Sequence, residues 1–178
     1  MNAFNKKVPE QTWYYRNANN KVIATMSRRE KENGKKYYLP KDMSTGEYKM
    51  PDIRPLYNVP GILAAQVVVL VNGETVAEAL MQQGVTATTL MGGFTAALDK
   101  VNWSPLGGKH LIVWPDTRPN LELDYRALAA TLYTYGVPSL GVIVLPDDKP
   151  LGWNAMDAIA ENVDIYALMH NHGPWREF

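Results

Sequence analysis

The chain is 178 residues long, the size of one ordinary domain or of one domain with a small appendage, and its 46% apolar content suffices for one sizeable core. Eighteen basic and eighteen acidic side chains cancel, which leaves no net field to draw the whole molecule onto nucleic acid or membrane, and the lack of cysteine excludes a disulfide framework, a thiolate zinc site and a thiol nucleophile. MNAFNKKVPEQ carries no apolar signal core, and the longest aliphatic run, residues 67–71, is far below the roughly 20 residues a bilayer requires, so a soluble, cytoplasmic protein without a membrane partner is expected.

The neutral total hides two unequal parts. Residues 1–60 carry twelve Lys/Arg against six Asp/Glu, a net of +6, and the remainder is −6. This first part reads as β structure: residues 13–16, 21–27 and 36–39 are rich in aromatic or β-branched side chains, with turns at 17–20 and at Asn33 and Gly34. Its cations interleave with aromatic rings. Arg28, Arg29, Lys35 and Lys36, with a Tyr37/Tyr38 platform, form a candidate nucleic-acid surface, because single strands want rings for bases and cations for phosphates. The competing account is a solvated hairpin whose aromatics pack on the main domain, since a charge count does not locate a patch. Residues 41–60 hold prolines at 51, 55 and 60 and no sustained period, which predicts an irregular connector over a surface.

From Gly61 the pattern becomes strand–helix alternation. Residues 66–71 are a buried-strand run, followed by a helix over 74–83. A second strand over 86–90 ends at Gly92 and Gly93, and a short helix over 94–99 follows. Residues 110–114 form a third strand. The clearest amphipathic segment, 122–135, places Leu123, Leu128, Leu132 and Tyr135 near one face and stops at Gly136. A fourth strand over 140–145 and helices over 154–162 and 163–170 complete the pattern. Apolar strands alternating with helices predict an α/β fold, a parallel sheet flanked by helices, with an N-terminal β-hairpin appendage. Two units are expected: residues 1–60, the basic appendage and connector, and residues 61–178, the α/β domain. Ligands of such sheets sit outside the carboxyl ends of the strands, here at Asn72, Gly73 and Glu74, at Gly92 and Gly93, and at Asp116, Thr117 and Arg118.

Those loops carry a resemblance. VVVLVNGETVAEAL, TATTLMGGFTAA, NWSPLGGKHLIVWPDTRP and LGWNAMDAIAE, in this order, resemble the Toprim domain of phage- and plasmid-type DNA primases and primase–helicases. WYYRNANNKVIATMSRREKENGKKYYLP and RPLYNVPGI resemble the segment that precedes it. The likeness implies a Rossmann-like parallel α/β fold. It also implies a glutamate closing the first strand as general acid/base and an Asp-x-Asp pair closing the third, the carboxylates holding Mg²⁺ for phosphoryl transfer.

The sequence departs from that pattern at three places. Asn72 stands in the glutamate's position, Arg118 in that of the second aspartate after Asp116, and Asn154 in that of a carboxylate in the block ending at Asp157. Two readings follow. In one, Glu74 swings in beside Asp116 to hold one weak Mg²⁺, although a glutamate in a helix's first turn is favoured by the dipole alone. In the other, Arg118 fills the metal's space and meets a phosphate directly, although it is equally a surface arginine beside a proline turn. A guanidinium near such an ion costs roughly 4 kcal/mol per unit charge pair at an effective dielectric near 20. Asn72, Glu74, Asp116 and Arg118 are therefore degenerate catalytic positions, and no resident cofactor is expected.

The remaining residues say less. His110, His170 and His172 lack metal-ligand spacing, there is no phosphate loop of the GxxxxGK[ST] type, and Trp103, Trp114 and Trp153 read as packing residues. The C-terminal NHGPWREF lies beyond the resemblance. The leading expectation is a primase-derived Toprim-like protein that binds single-stranded DNA or primer–template in the replication of a mobile element, of nucleotidyltransferase ancestry but inactive. The alternatives are a non-catalytic phage or plasmid module docking on a host replication or defence protein, and an active primase with relocated ligands.

Overall fold

Side-chain alternation along short apolar strands decides how this chain folds, and the computed structural model describes its residues 11–117 and 125–174. In chain order the first elements are β1 (Gln11–Arg16), β2 (Val22–Glu30), β3 (Lys36–Asp42), α1 (Val59–Ala64), β4 (Val67–Leu70), α2 (Glu74–Gln82) and β5 (Ala87–Thr88). They are followed by β6 (His110–Val113), α3 (Tyr125–Thr134), β7 (Ser139–Ile143), α4 (Ala155–Ala160), α5 (Ile165–His170) and β8 (His172–Pro174). The strands form an antiparallel sheet β1-β2-β3 and a second sheet in the order β5-β4-β6-β7-β8. Its first four strands are parallel, and β8 closes the edge antiparallel to β7.

Successive residues of a strand point to opposite faces, so β4 and β6 feed two cores at once. Val69, Val71, Ile112 and Trp114 face α2, whose Val76, Ala77 and Leu80 close the first core. Val68, Leu70, Leu111 and Val113 face the other way, onto Ile62 of α1 and Leu128 and Leu132 of α3. This two-sided burial is what the run QVVVLV predicts. The N-terminal sheet joins the first core with one face only: Trp13, Tyr15, Ala24 and Met26 are buried there, whereas Tyr14 between them is 52% exposed. Both expected turns are present, with Asn20 at φ 60° and Gly34 at φ 78°.

Several details differ from the sequence expectation. The connector is stitched into the core: Leu56 is fully buried and bridges Leu90, Arg54 bridges Val101, and Thr88 Oγ1 donates to the Tyr57 carbonyl at 2.7 Å. It also ends in α1, which the prolines disguise. Asn58 caps that helix at φ 57°, accepting from the Gly61 N–H through its side chain, and Pro60 sits in the first turn, where its missing N–H costs nothing. The strand expected over 86–90 is only two residues long, and the helix expected over 94–99 is two 3₁₀ turns, Gly93–Thr95 and Leu98–Lys100. Gly92 and Gly93, both at positive φ, turn the chain too sharply for a longer element. β8 escapes notice because His172, Gly173 and Pro174 have poor strand propensity, and proline is tolerated there at a sheet edge. Residues 118–124 and 175–178 lie outside the described residues, and with them the start of the expected helix over 122–135, Arg118, Trp175 and Phe178. Among the described residues no helix is long and apolar enough to cross a membrane.

Candidate functional site

A crevice of about 410 Å³ opens where the N-terminal sheet overhangs the carboxyl ends of β4 and β5. Met26, Tyr38, Pro40, Met50 and Phe94 line its sides, and Asn72, Gly73, Glu74, Gly92 and Gly93 supply its polar part. The sheet's twofold alternation brings Met26, Tyr38 and Pro40 together: Met26 pairs with Pro40 and Arg28 with Tyr38 across β2 and β3, so all four share one face.

Asn72 is bonded at both ends of its amide. Its Nδ2 donates to Asp116 Oδ2 at 3.0 Å, and its Oδ1 accepts from the Phe94 N–H at 3.1 Å. One side chain thus ties the loop after β4 to the loop after β6 and to the turn after β5. A carboxylate could take the second bond but not make the first, because it has no N–H to offer Asp116. The amide also sets the neighbouring glycine: a Cβ on Gly93, at φ +68°, would lie 2.6 Å from Asn72 Oδ1.

Glu74 turns to the N-terminal sheet. It is only 8% exposed, and its Oε1 accepts from the Tyr15 hydroxyl at 2.6 Å. Burial pushes the Glu74 carboxyl above its usual range, against the lowering effect of the Tyr15 bond and of its own backbone N–H. Burial also raises Tyr15 well above the ordinary phenol range, and the charge and hydrogen bond of Glu74 add to the shift. One helical turn on, Glu78 accepts from Trp13 Nε1 at 3.2 Å and from the Tyr57 hydroxyl at 2.9 Å, and the rings of Tyr15 and Tyr57 meet edge to face at 5.3 Å. The carboxylates of α2 therefore fasten the N-terminal sheet and the connector to the α/β layer.

Asp116 sits in a stitched loop. Thr117 Oγ1 donates to the Pro150 carbonyl at 2.6 Å and accepts from the Trp153 N–H at 2.9 Å. Arg118, the next residue, is outside the described residues. Asn154 and Asp157 close on one another as the capping box of α4: Asn154 Oδ1 accepts from the Met156 N–H at 2.8 Å, and the Asn154 N–H donates to Asp157 Oδ2 at 2.9 Å. Asparagine and aspartate serve equally well at that position, so the capping role alone accounts for an asparagine there. Among the described residues no three of His, Asp and Glu cluster as ion ligands. His110 Nδ1 lies 2.7 Å from Ser139 Oγ, at the end of the sheet opposite the crevice, and His170 Nδ1 lies 2.6 Å from the Tyr166 carbonyl.

The basic residues divide between two faces. Arg28, Tyr38 and Lys36 point to the crevice side of the N-terminal sheet, and Arg29 and Tyr37 to the other, because Arg28 pairs with Tyr38, Arg29 with Tyr37 and Glu30 with Lys36. Tyr37 and Tyr38 therefore do not share one platform. The Arg28 guanidinium lies 6.0 Å from the Trp13 ring centroid, and Trp13 stacks on Tyr38 at 6.5 Å with 22° between the planes. Lys31 Nζ lies 5.8 Å from the Tyr37 centroid on the outer face, and Lys35 stands in the turn, its N–H donating to Asn33 Oδ1 at 3.1 Å.

Sequence reasoning missed Tyr15 as the partner of Glu74, and Met50 and Phe94 as walls of the crevice. Tyr15 carried a usable signal: it alternates with the exposed Tyr14 in a strand, so one of the two had to face inward. Met50 gave none, since a connector without period does not declare which residues it buries. Trp103, Trp114 and Trp153 are all in the cores.

The described residues thus form a parallel α/β layer with a small antiparallel sheet leaning over its strand tips. No protein-family model matches the sequence, and no curated protein matches it. The chain is similar in fold to the zinc-binding and RNA polymerase domains of the Aquifex aeolicus primase, with a TM-score of 0.65 and 16% identity over 91% of this chain and 40% of that one. It also matches the DnaG primase catalytic domain bound to ssDNA, with a TM-score of 0.61 and 17% identity over 93% of this chain and 53% of that one. The primase fragment of the bacteriophage T7 primase–helicase gives a TM-score of 0.55 and 14% identity over 91% of this chain and 62% of that one. The chain thus has the fold of bacterial and phage primase catalytic cores, in agreement with the Toprim resemblance of its sequence blocks, and spans from 40% to 62% of the length of these structures.

Proposed function

We propose that this chain is a primase-derived, nucleic-acid-binding protein of a mobile element's DNA replication, and that its catalytic metal site is lost. The observation that carries the reading is the Asn72 amide, committed to Asp116 on one side and to the Phe94 N–H on the other. Hard divalent ions want several carboxylate oxygens. Here the first position offers an amide already bonded twice. The nearest substitute, Glu74, is buried against Tyr15 and raised toward its neutral form, which disfavours the relocated-ligand alternative. Such donors do not fit Mg²⁺.

Nucleic-acid binding rests on other features. A solved relative of the same fold is bound to ssDNA, and Arg28 and Lys36 stand on the crevice side of the N-terminal sheet with Tyr38 between them in register. Arg29, Lys35 and Tyr37 remain candidate contacts of a second, peripheral kind, and Arg118 remains a candidate contact at the former metal position. Fluorescence anisotropy on a short single-stranded oligonucleotide tests the reading. Affinity should fall with salt, and Arg28→Ala or Lys36→Ala should each reduce the logarithmic salt slope by roughly 0.7. Salt-independent affinity, or primer synthesis in Mg²⁺ or Mn²⁺ that Asp116→Ala abolishes, would overturn it.

A further inference from the structure

The crevice itself has a lining that the loss of a metal does not explain. Its volume, about 410 Å³, is in the range of small-molecule sites, roughly 300–1,000 Å³. Its walls are flat or polarizable apolar groups: Tyr38, Pro40, Phe94 and the thioethers of Met26 and Met50. None of the residues lining it is Lys or Arg, and the one ionisable carboxyl among them is Glu74. A phosphate chain placed there would meet the Glu74 carboxyl and no Lys or Arg among the described lining residues, the Arg54 guanidinium standing only beside Gly92, with Nη1 3.9 Å from where a Cβ there would lie. A neutral, flat heterocycle would meet aromatic and sulfur surface on its faces and polar groups at its edge.

We propose that the crevice captures one unpaired base of the bound single strand, metal-free, with the strand's phosphates left outside toward Arg28 and Lys36. This deepens the nucleic-acid-binding reading and rests on it for the identity of the strand. Tyr38 is 56% exposed at the mouth of the crevice and already stacked on Trp13, so an entering base extends an existing aromatic stack. At the polar end, Asn72 keeps one N–H and one oxygen lone pair beyond its two bonds, since an amide has two of each. Glu74 lines the same end of the crevice, its Oε1 already accepting from Tyr15. An amide and a carboxyl side by side can address both donors and acceptors of a base edge, the way single-stranded bases are read elsewhere.

The test uses the full chain without added metal, in two arms. In the first, adenosine, guanosine, cytidine and thymidine are titrated separately and followed by amide NMR. Saturable shifts at Gly92, Gly93, Phe94 and the Asn72 side chain are expected, and no shift up to the solubility limit of any nucleoside, or shifts elsewhere only, would overturn the pocket. In the second, a thymidine oligonucleotide is compared with an abasic strand of equal length. The base-bearing strand should bind roughly ten-fold more tightly, and Tyr38→Ala, at an exposed site where folding is readily checked, should remove most of that difference while leaving the salt slope unchanged. Equal affinity for both strands sinks the pocket and leaves the nucleic-acid reading standing. Nucleoside shifts with no salt-dependent binding of either strand sink the nucleic-acid reading and leave the pocket.

Discussion

Asn72→Asp changes one NH₂ to one O⁻ and leaves the shape of the side chain intact, so its effect isolates the bond to Asp116. The new carboxylate would stand across the 3.0 Å gap that Asn72 Nδ2 now spans. Two unit charges about 4 Å apart repel by about 4 kcal/mol at an effective dielectric near 20, and the lost hydrogen bond to a charged acceptor is worth roughly 1.5–3 kcal/mol. Side-chain rotation and proton sharing relieve part of this, which leaves a net loss of about 2–4 kcal/mol at neutral pH. At about 2–4 °C per kcal/mol for a domain of this size, the midpoint of thermal unfolding should fall by about 4–16 °C. Melts of wild type and variant at pH 7 and at pH 4 provide the assay. The gap should narrow at the lower pH, where the pair retains a proton, and it should narrow at pH 7 on adding Mn²⁺, because a dication between two carboxylates restores what the amide supplied. An unchanged melting point at pH 7, or a deficit identical at both pH values, would refute the contact between Asn72 and Asp116. Stabilisation of the wild type by Mn²⁺ equal to that of the variant would refute the lost metal site.

Three further outcomes follow from the same geometry. Tyr15→Phe removes the donor that lies 2.6 Å from the buried Glu74 and should cost roughly 1.5–3 kcal/mol in urea unfolding at pH 7, with a smaller loss in a Glu74→Gln background. Gly93→Ala should destabilise more than Gly73→Ala, although both stand at positive φ, because the added methyl meets Asn72 Oδ1 at 2.6 Å in the first case and nothing within 4 Å in the second; paired unfolding curves decide it. Glu74 has a folded-state pKa above its reference value of 4.5, so the folded state holds more protons than the unfolded one just above that pH. Its contribution to stability therefore falls as pH rises through the folded pKa, and Glu74→Gln should show a flatter stability profile than wild type from pH 4.5 upward.

How much of this was legible beforehand depended on whether a residue's role was set by its own neighbours in the chain or by distant ones. The run QVVVLV announced a strand buried on both faces, and the structure divides residues 68–71 between two cores as the period-two rule requires, while Val67 at its start is exposed. Gly136, at φ 72°, ended its helix as a glycine does. The departures at Asn72 and Asn154 looked alike in sequence, each an amide for a carboxylate, yet they mean different things. Asn154 meets its own helix and caps it. Asn72 meets Asp116 and Phe94, 44 and 22 residues away, and no local pattern encodes those partners. Glu74 is the same lesson in reverse: its place at a helix start was explained by the dipole alone, against a swing toward a metal, and Tyr15, 59 residues before it, holds it in a buried bond that neither reading foresaw. The crevice was invisible for the same reason. It is bounded by a β3 tyrosine, a connector methionine and a turn phenylalanine, which come together only because the N-terminal sheet buries Trp13 and Tyr15 against α2 and so leans its other inward residues over the strand tips. The tyrosine and tryptophan bonds to Glu74 and Glu78 thus help hold the sheet that overhangs the crevice, and any change that loosens them should be felt in what the crevice binds.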